Sequence, residues 1–192
     1  MATGAYDLQV RASSQNITRR ADFRLSVTPA SGAGINWMVR RSGFKLYGVT
    51  YSGGLFVAVG SRGTVLTSRD GASWAQRASG TDVSLSSATH GGGLFVAVGE
   101  EGTILTSRDG LNWTRRASGT DADLYSVTHG GGLFVAVGNG GTILTSRDGL
   151  NWTEQVSGTD NNLSGVTYGD GLFVAVGSEG TILTPSDGVS WR

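Results

Sequence analysis

One hexapeptide occurs four times in this chain. The run Leu-Phe-Val-Ala-Val-Gly begins at Leu55, Leu94, Leu133 and Leu172, so that consecutive copies start 39 residues apart. A self-similar period of this size indicates stacked supersecondary units that bury their apolar faces against one another. The same regularity argues against a catalytic site, because such a site brings unlike residues together and near-identical repeats supply like ones.

Each repeat predicts four short strands. The repeat over residues 124–156 shows them as β-branched or apolar runs that are separated by Gly-Gly-Gly, Asn-Gly and Asp-Gly turns. The expected strands cover residues 124–129, 133–137, 142–145 and 151–156. Four short antiparallel strands in about 40 residues are the unit of a β-propeller blade. The sequence therefore predicts an all-β propeller of four-stranded antiparallel blades.

The tryptophans suggest how many blades the chain contributes. Their spacings are 37, 39, 39 and 39 residues, for Trp37, Trp74, Trp113, Trp152 and Trp191. Residues 44–192 hold the four near-identical repeats, and we predict that residues 1–43 are a degenerate first blade, which gives five blades. In the alternative, four blades follow an N-terminal β-hairpin, and residues 37–40 close the last blade as its outer strand. Closure through another chain is a third possibility.

Composition limits the classes of function. Lys and Arg together number 15, as do Asp and Glu, so the formal charge is zero and nothing favours nucleic acid as a partner. The chain has no cysteine and two histidines, and we expect neither a metal nor a cofactor. No apolar run is long enough to cross a bilayer, so membrane insertion is not expected. We expect a monomer, with an oligomer as the alternative.

A heptad that ends in tryptophan marks the third turn of each repeat. Ser107-Arg108-Asp109-Gly110-Leu111-Asn112-Trp113 is one copy. The Asp can accept hydrogen bonds from the backbone of the turn, and Gly supplies the positive φ that the bend needs. We predict that Asp and Trp are structural at every copy, as Asp70, Trp74, Asp109, Trp113, Asp148, Trp152, Asp187 and Trp191.

This heptad resembles the Asp-box of sialidases, of sialidase-like (BNR) repeat proteins and of the photosystem II assembly-factor type of propeller. The usual box is Ser-x-Asp-x-Gly-x-x-Trp, whereas here Gly directly follows Asp. The resemblance implies a propeller and says little about activity, because the box is a structural turn. Sialidases use an arginine cluster, a Tyr–Glu pair and an Asp acid on dissimilar blades. No position here matches them, so we assign no catalytic residue. Separately, residues 6–29 resemble the last hairpin of a bacterial immunoglobulin-like domain, which favours an extracellular or cell-surface location.

Two sets of repeated side chains are candidate ligand contacts. The first strand of each repeat ends in an aromatic or imidazole side chain, at Tyr51, His90, His129 and Tyr168. This pattern predicts a circle of these side chains near one mouth of the channel. The interpretation that we favour for these four is that they plug the channel or cover the next blade. The Thr-Asp pairs at 81–82, 120–121 and 159–160 suggest equivalent clefts for a carbohydrate, although turn-forming roles are favoured for them too.

The sequence thus predicts a non-enzymatic binding or scaffold module for a protein or a glycan. One alternative is a multivalent lectin, in which weak sites gain from avidity. The alternative from another class is a sialidase-like glycoside hydrolase.

Overall fold

The chain divides into two compact units, Met1–Arg41 and Ser42–Arg192. The computed structural model describes residues 24–27, 35–38, 43–185 and 191. In the first unit, β1 (Arg24–Val27) pairs antiparallel with β2 (Ile35–Met38). Residues 6–23 of the segment that resembles an immunoglobulin-like hairpin lie outside the described residues. Whether residues 1–43 form a degenerate blade or a hairpin therefore stays a prediction.

The second unit is built from fifteen described strands, β3 to β17. The first two blades contain β3 (Leu46–Ser52), β4 (Leu55–Gly60), β5 (Val65–Ser68), β6 (Ala75–Arg77), β7 (Leu85–Gly91), β8 (Leu94–Gly99), β9 (Ile104–Ser107) and β10 (Thr114–Arg116). The next two contain β11 (Leu124–Gly130), β12 (Leu133–Gly138), β13 (Ile143–Ser146), β14 (Thr153–Gln155), β15 (Leu163–Gly169), β16 (Leu172–Gly177) and β17 (Ile182–Leu183). Short 3₁₀ turns occupy Asn139–Gly141 and Ser178–Gly180.

The strands form four consecutive antiparallel meanders. Blades 1, 2 and 3 are the four-stranded sheets β3–β6, β7–β10 and β11–β14, and blade 4 is the three-stranded sheet β15–β17. Blade 4 also has a single antiparallel bridge between Pro185 and Trp191, where a fourth strand begins in the other blades. This arrangement confirms the predicted propeller of four-stranded antiparallel blades.

The apolar second strand explains how the blades stack. In β4, Val57, Ala58 and Val59 are all buried, although alternate side chains of a strand point to opposite faces. On one face, Val57 and Val59 pack with Leu85 and Phe95 of blade 2. We call the face of a blade that meets the following blade its front face, and the opposite face its back face. The same core recurs between blades 2 and 3 and between blades 3 and 4.

The first strands are the innermost ones. β3 lies against β7, β7 against β11 and β11 against β15, whereas no comparable packing joins β3 with β15 among the described strands. Each junction buries one front face against one back face, and among the described strands no blade packs on the back face of blade 1 or on the front face of blade 4. No helix among the described residues has the length and apolarity to cross a membrane.

Candidate functional site

The Asp of each heptad is held by the turn that it organises. Asp109 Oδ1 accepts hydrogen bonds from the backbone N–H of Leu111 (2.8 Å) and of Asn112 (2.9 Å) and from the hydroxyl of Ser107 (2.9 Å). Asp109 Oδ2 accepts a further bond from the Asn112 side-chain amide at 2.7 Å. The carboxylate therefore satisfies turn donors rather than facing a ligand.

These bonds stabilise the charged form of the carboxylate. The backbone N–H three residues further on is the largest cause, and it holds the pKa of Asp70, Asp109 and Asp148 well below the usual range. Because the folded-state pKa is depressed, the stabilisation is present above the ordinary carboxyl pKa of about 4 and is lost as the pH falls below it. A carboxyl group that stays ionised at neutral pH does not serve there as a general acid.

Gly and Trp connect the heptad to the preceding blade. Gly110 has φ +71°, and the Trp113 indole N–H donates to its carbonyl at 3.1 Å. A Cβ on Gly110 would lie 2.6 Å from Leu55 Cδ2 of blade 1, so only glycine fits this approach. Trp113 packs against the same core. In the fourth copy, Asp187 lies outside the described residues, while Trp191 is buried between blades 3 and 4.

The four predicted ring positions lie at equivalent places and are used in packing. Each ring contacts the phenylalanine that faces it across the first hairpin, with centroids 4.4–4.7 Å apart, as for Tyr51–Phe56, His90–Phe95, His129–Phe134 and Tyr168–Phe173. His129 also lies directly over Gly91 of the preceding blade, and Tyr168 lies over Gly130. One face of each of these two rings is thus covered, and the side chains stay partly exposed.

The two imidazoles are less basic than usual. Partial burial lowers the pKa of His129, and burial together with the charge of His129 lowers the pKa of His90. The structure therefore favours neutral rings, which stack and donate or accept single hydrogen bonds. Among residues 43–185, no three side chains of the His, Asp and Glu types gather as a metal site.

The Thr-Asp pairs lie in the connections between blades. The Thr120 hydroxyl accepts from the backbone N–H of Ala122 at 3.1 Å, and the Thr159 hydroxyl accepts from that of Asn161 at 3.1 Å. Ser118 and Ser157 close the same turns by donating to the threonine carbonyls. Threonine is thus a turn residue here, while Asp82, Asp121 and Asp160 are exposed.

Clefts between neighbouring blades are the feature that sequence reasoning missed. The cleft between blades 3 and 4 has a volume of about 740 Å³, and Arg147, Asn151, Gln155 and Tyr168 are among its lining residues. An equivalent cleft of about 310 Å³ lies between blades 2 and 3 and contains Arg108, Asn112 and Arg116.

The lining residues of the two clefts correspond at the 39-residue period, as Arg108 does to Arg147 and Asn112 to Asn151. The signal in the sequence was the polar content of the heptad and of the strand after it. Sequence reasoning assigned the heptad to a structural turn and the residues after it to a strand.

Known proteins were compared with this chain at the level of sequence and of structure. No protein-family model matches it, and a search of curated proteins found no relative. Two solved structures of YCF48 are similar in fold, one from Cyanidioschyzon merolae at 24% identity and one described as bound to D1 peptide at 23%. Each has a TM-score of 0.62 and matches 78% of this chain.

The match spans little more than half of these neighbours, 56% and 54% of their respective lengths. The computationally designed Ika4 protein is similar as well, with a TM-score of 0.63 at 13% identity over 76% of this chain and 93% of its own. Identities this low establish the fold alone. Together with the stacked four-stranded meanders, they define the chain as a β-propeller protein.

Proposed function

We propose that this chain is a non-enzymatic binding module that holds an extended partner segment, a peptide first of all, in the clefts between its blades. The observation that carries the proposal is the recurrence of one cleft, with equivalent lining residues, at successive junctions. Because the clefts repeat, one partner chain can occupy more than one of them, and weak contacts then add through avidity.

The chemistry of the clefts favours a ligand that is rich in hydrogen-bond acceptors. Arg108 and Arg147 are exposed at the cleft edges, whereas the neighbouring Asp109 and Asp148 are already bonded to their own turns. Guanidinium and amide groups beside hydroxyls suit peptide carbonyls and carboxylates. A hydrolase needs a proton donor, such as a carboxyl group with a raised pKa. The Asp carboxylates of the heptads have a lowered pKa instead, which supports a binding role over a hydrolytic one.

The comparisons add support at the level of fold. The structure of YCF48 that is described as bound to D1 peptide is a propeller neighbour with a peptide ligand. We propose a peptide ligand here by analogy of fold, and we propose that the heptad is a shortened Asp-box with a structural role.

A glycan is the second candidate ligand. The partly exposed Tyr51, His90, His129 and Tyr168 offer ring surfaces at equivalent positions, and aromatic faces stack on sugars. A glycan array probed with the chain at high surface density tests this candidate. The absence of binding to every glycan would remove it and leave the peptide proposal standing.

Selection of peptides from a random library displayed on phage tests the main proposal. We expect recovered peptides to carry Asp, Glu or a free carboxyl terminus. The double variant Arg108→Ala/Arg147→Ala should weaken their binding about tenfold or more, which corresponds to about 1.4 kcal/mol. Arg115→Ala removes an equally exposed arginine from an outer strand and should leave binding unchanged. No enrichment of any peptide, or equal losses in both variants, would refute the proposal. Turnover of a fluorogenic sialoside above background would refute the non-enzymatic part.

A further inference from the structure

The front face of blade 4 exposes side chains that are core residues everywhere else. Val176 is 44% exposed and Ile182 is 67% exposed. Their equivalents are completely buried in the other three blades, as Val59, Val98 and Val137 for the first and as Val65, Ile104 and Ile143 for the second. Large apolar side chains grouped on one face mark a surface that a partner covers.

The back face of blade 1 is exposed along its first strand, whereas Ala58 and Leu66 on its second and third strands are each only 3% exposed. Leu46 is 43% exposed, Val49 is 62% exposed and Tyr51 is 58% exposed. The leucines equivalent to Leu46, which are Leu85, Leu124 and Leu163, are completely buried. Among the described residues, the first strand of blade 1 and the front face of blade 4 therefore lack the neighbouring blade that covers their equivalents at the three internal junctions.

Each end face also has a glycine that lacks the side chain of a neighbouring blade which covers its equivalent at the internal junctions. Gly130 is covered by the Tyr168 ring so closely that a Cβ there would overlap it, yet a Cβ on the equivalent Gly169 would have no described atom within 4 Å. Gly110 holds Leu55 of the preceding blade, whereas a Cβ on the equivalent Gly71 would meet, among the described residues, the Phe56 ring of its own blade at 3.8 Å. The front face of blade 4 thus lacks an aromatic ring over Gly169, and the back face of blade 1 lacks a leucine beside Gly71.

The missing groups are present on the opposite end of the same chain. We infer that two copies of this chain dock head to tail, so that the front face of blade 4 in each copy covers the back face of blade 1 in the other. Tyr51 of one copy then lies on Gly169 of its partner copy, as Tyr168 lies on Gly130. Leu172, which is 43% exposed, fills the place beside Gly71. The pairing is heterologous at each junction and closes because there are two junctions.

Charge at the ends supports the pairing. At two of the three internal junctions an acceptor side chain of the following blade binds a backbone N–H of the hairpin tip, with Asp123 Oδ1 3.0 Å from Glu101 N and Asn162 Oδ1 2.9 Å from Gly140 N. At the ends the equivalent positions are Lys45 and Glu179. An ammonium group and a carboxylate thus meet where the faces join, which favours this register over others.

A second copy satisfies these faces better than the other available occupant. Residues 1–41 contain no copy of the Leu-Phe-Val-Ala-Val-Gly run, whereas a second copy of the chain supplies the strand that forms the front face of every internal junction. The described blades also match only 56% of the length of the YCF48 propeller, so two copies provide enough blades to complete a ring. This inference replaces the monomer that the sequence favours.

A cysteine pair tests the docking directly, since the chain has no cysteine of its own. A Cβ built on Gly130 lies 2.6 Å from Tyr168 Cβ, so a small backbone adjustment reaches the disulfide spacing of about 3.8 Å. The full chain with Tyr51→Cys and Gly169→Cys should oxidise to a covalent dimer with no free thiol. Either single variant should give no covalent dimer. A monomer with an internal disulfide, a monomer with free thiols, or a ladder of larger species would overturn the inference.

Mixing of two surface variants provides a second, reversible test. Light scattering on the full chain should give the mass of two copies, and Val49→Asp or Ile182→Asp should each give one. An equimolar mixture of these two variants should regain the dimeric mass, because one wild-type junction remains between a Val49→Asp front face and an Ile182→Asp back face. Val156→Asp alters a side chain that is 85% exposed on neither end face, and it should stay dimeric. A monomeric wild-type chain at every concentration, or failure of the mixture to associate, would overturn the inference.

Discussion

The junction between blades 3 and 4 and the free front face of blade 4 are built from the same types of residue. Val137 and Ile143 are completely buried at that junction, while their equivalents Val176 and Ile182 are about half exposed or more. The sequence of the second strand is identical in both blades. The difference therefore comes from the presence or absence of a neighbouring blade.

This comparison separates what a repeat supplies from what its neighbour supplies. Each blade makes its own hairpins and its own Asp turn, because those bonds run between residues less than about one repeat apart. Burial of the apolar face requires the next blade, which is why stacked repeats gain stability from their interfaces. The predictions below compare an internal position with its counterpart at an end, in a chain kept monomeric by Val49→Asp.

The largest difference is expected for the isoleucine of the third strand. Ile143→Ala removes a completely buried side chain and should lower the free energy of unfolding by about 2–5 kcal/mol. Ile182→Ala alters a side chain that is 67% exposed and should cost less than about 1 kcal/mol. Urea unfolding followed by tryptophan fluorescence measures both. Equal losses would mean that another segment of the same chain covers blade 4.

The next largest difference is expected between Gly130 at an internal junction and its equivalent Gly169 at the end face of blade 4. Gly130→Ala places a Cβ inside the Tyr168 ring and should cost about 1–3 kcal/mol through overpacking. Gly169→Ala adds the same atom where no described residue lies within 4 Å, and the free energy of unfolding should be unchanged. Neither glycine has a positive φ, so backbone strain does not complicate the pair. A destabilised Gly169→Ala variant would show that another group already packs against Gly169 at the end of blade 4.

Much of the fold could be predicted from the repeat because its signals are local. The apolar run, the Gly-rich turns and the Asp-Gly bend each fix a strand or a hairpin within one repeat, and the ends of β11 to β14 lie within two residues of the predicted ones. The strand ends differ mainly in the outer strand β14, which covers Thr153–Gln155 where six residues were expected.

The candidate site and the end faces could not be predicted in the same way, because they depend on contacts between blades. The sequence places Arg147 in a turn, and only the packing of blade 4 against blade 3 shows that this turn borders a cleft. Likewise, Val49 and Val127 look alike in sequence, yet one is 62% exposed and the other is 5% exposed. Exposure is a property of the stack rather than of the repeat.

A smaller difference is expected at the tips of the second hairpins. Glu101 and Glu179 have φ +52° and +54°, in the left-handed region where the blade 3 equivalent is Gly140. Glu101→Gly should therefore raise the free energy of unfolding by about 1 kcal/mol. The gain should be smaller for Glu179→Gly, because no following blade holds that tip in place, whereas Asp123 holds the tip at Glu101. Thermal unfolding of the two variants measures the difference, and a larger gain at Glu179 would contradict a tip that is free to relax.

The smallest effect is expected from the histidines and depends on pH. Partial burial lowers the folded-state pKa of His90 and His129 below their ordinary value of about 6.5, so their contribution to stability is present above that value. It is lost as the pH falls from about 6.5 through the lower folded-state pKa, because the unfolded chain binds protons first. His90→Tyr/His129→Tyr, which copies the residue of blades 1 and 4, should flatten the urea midpoint between pH 7 and pH 5. Because these rings are partly exposed, the change in the pH dependence of the urea midpoint should be modest. Tyr51→His, at the more exposed end, should restore less pH dependence than either internal histidine provides. An equal pH dependence from position 51 would contradict the view that the neighbouring blade, rather than the strand itself, desolvates these rings.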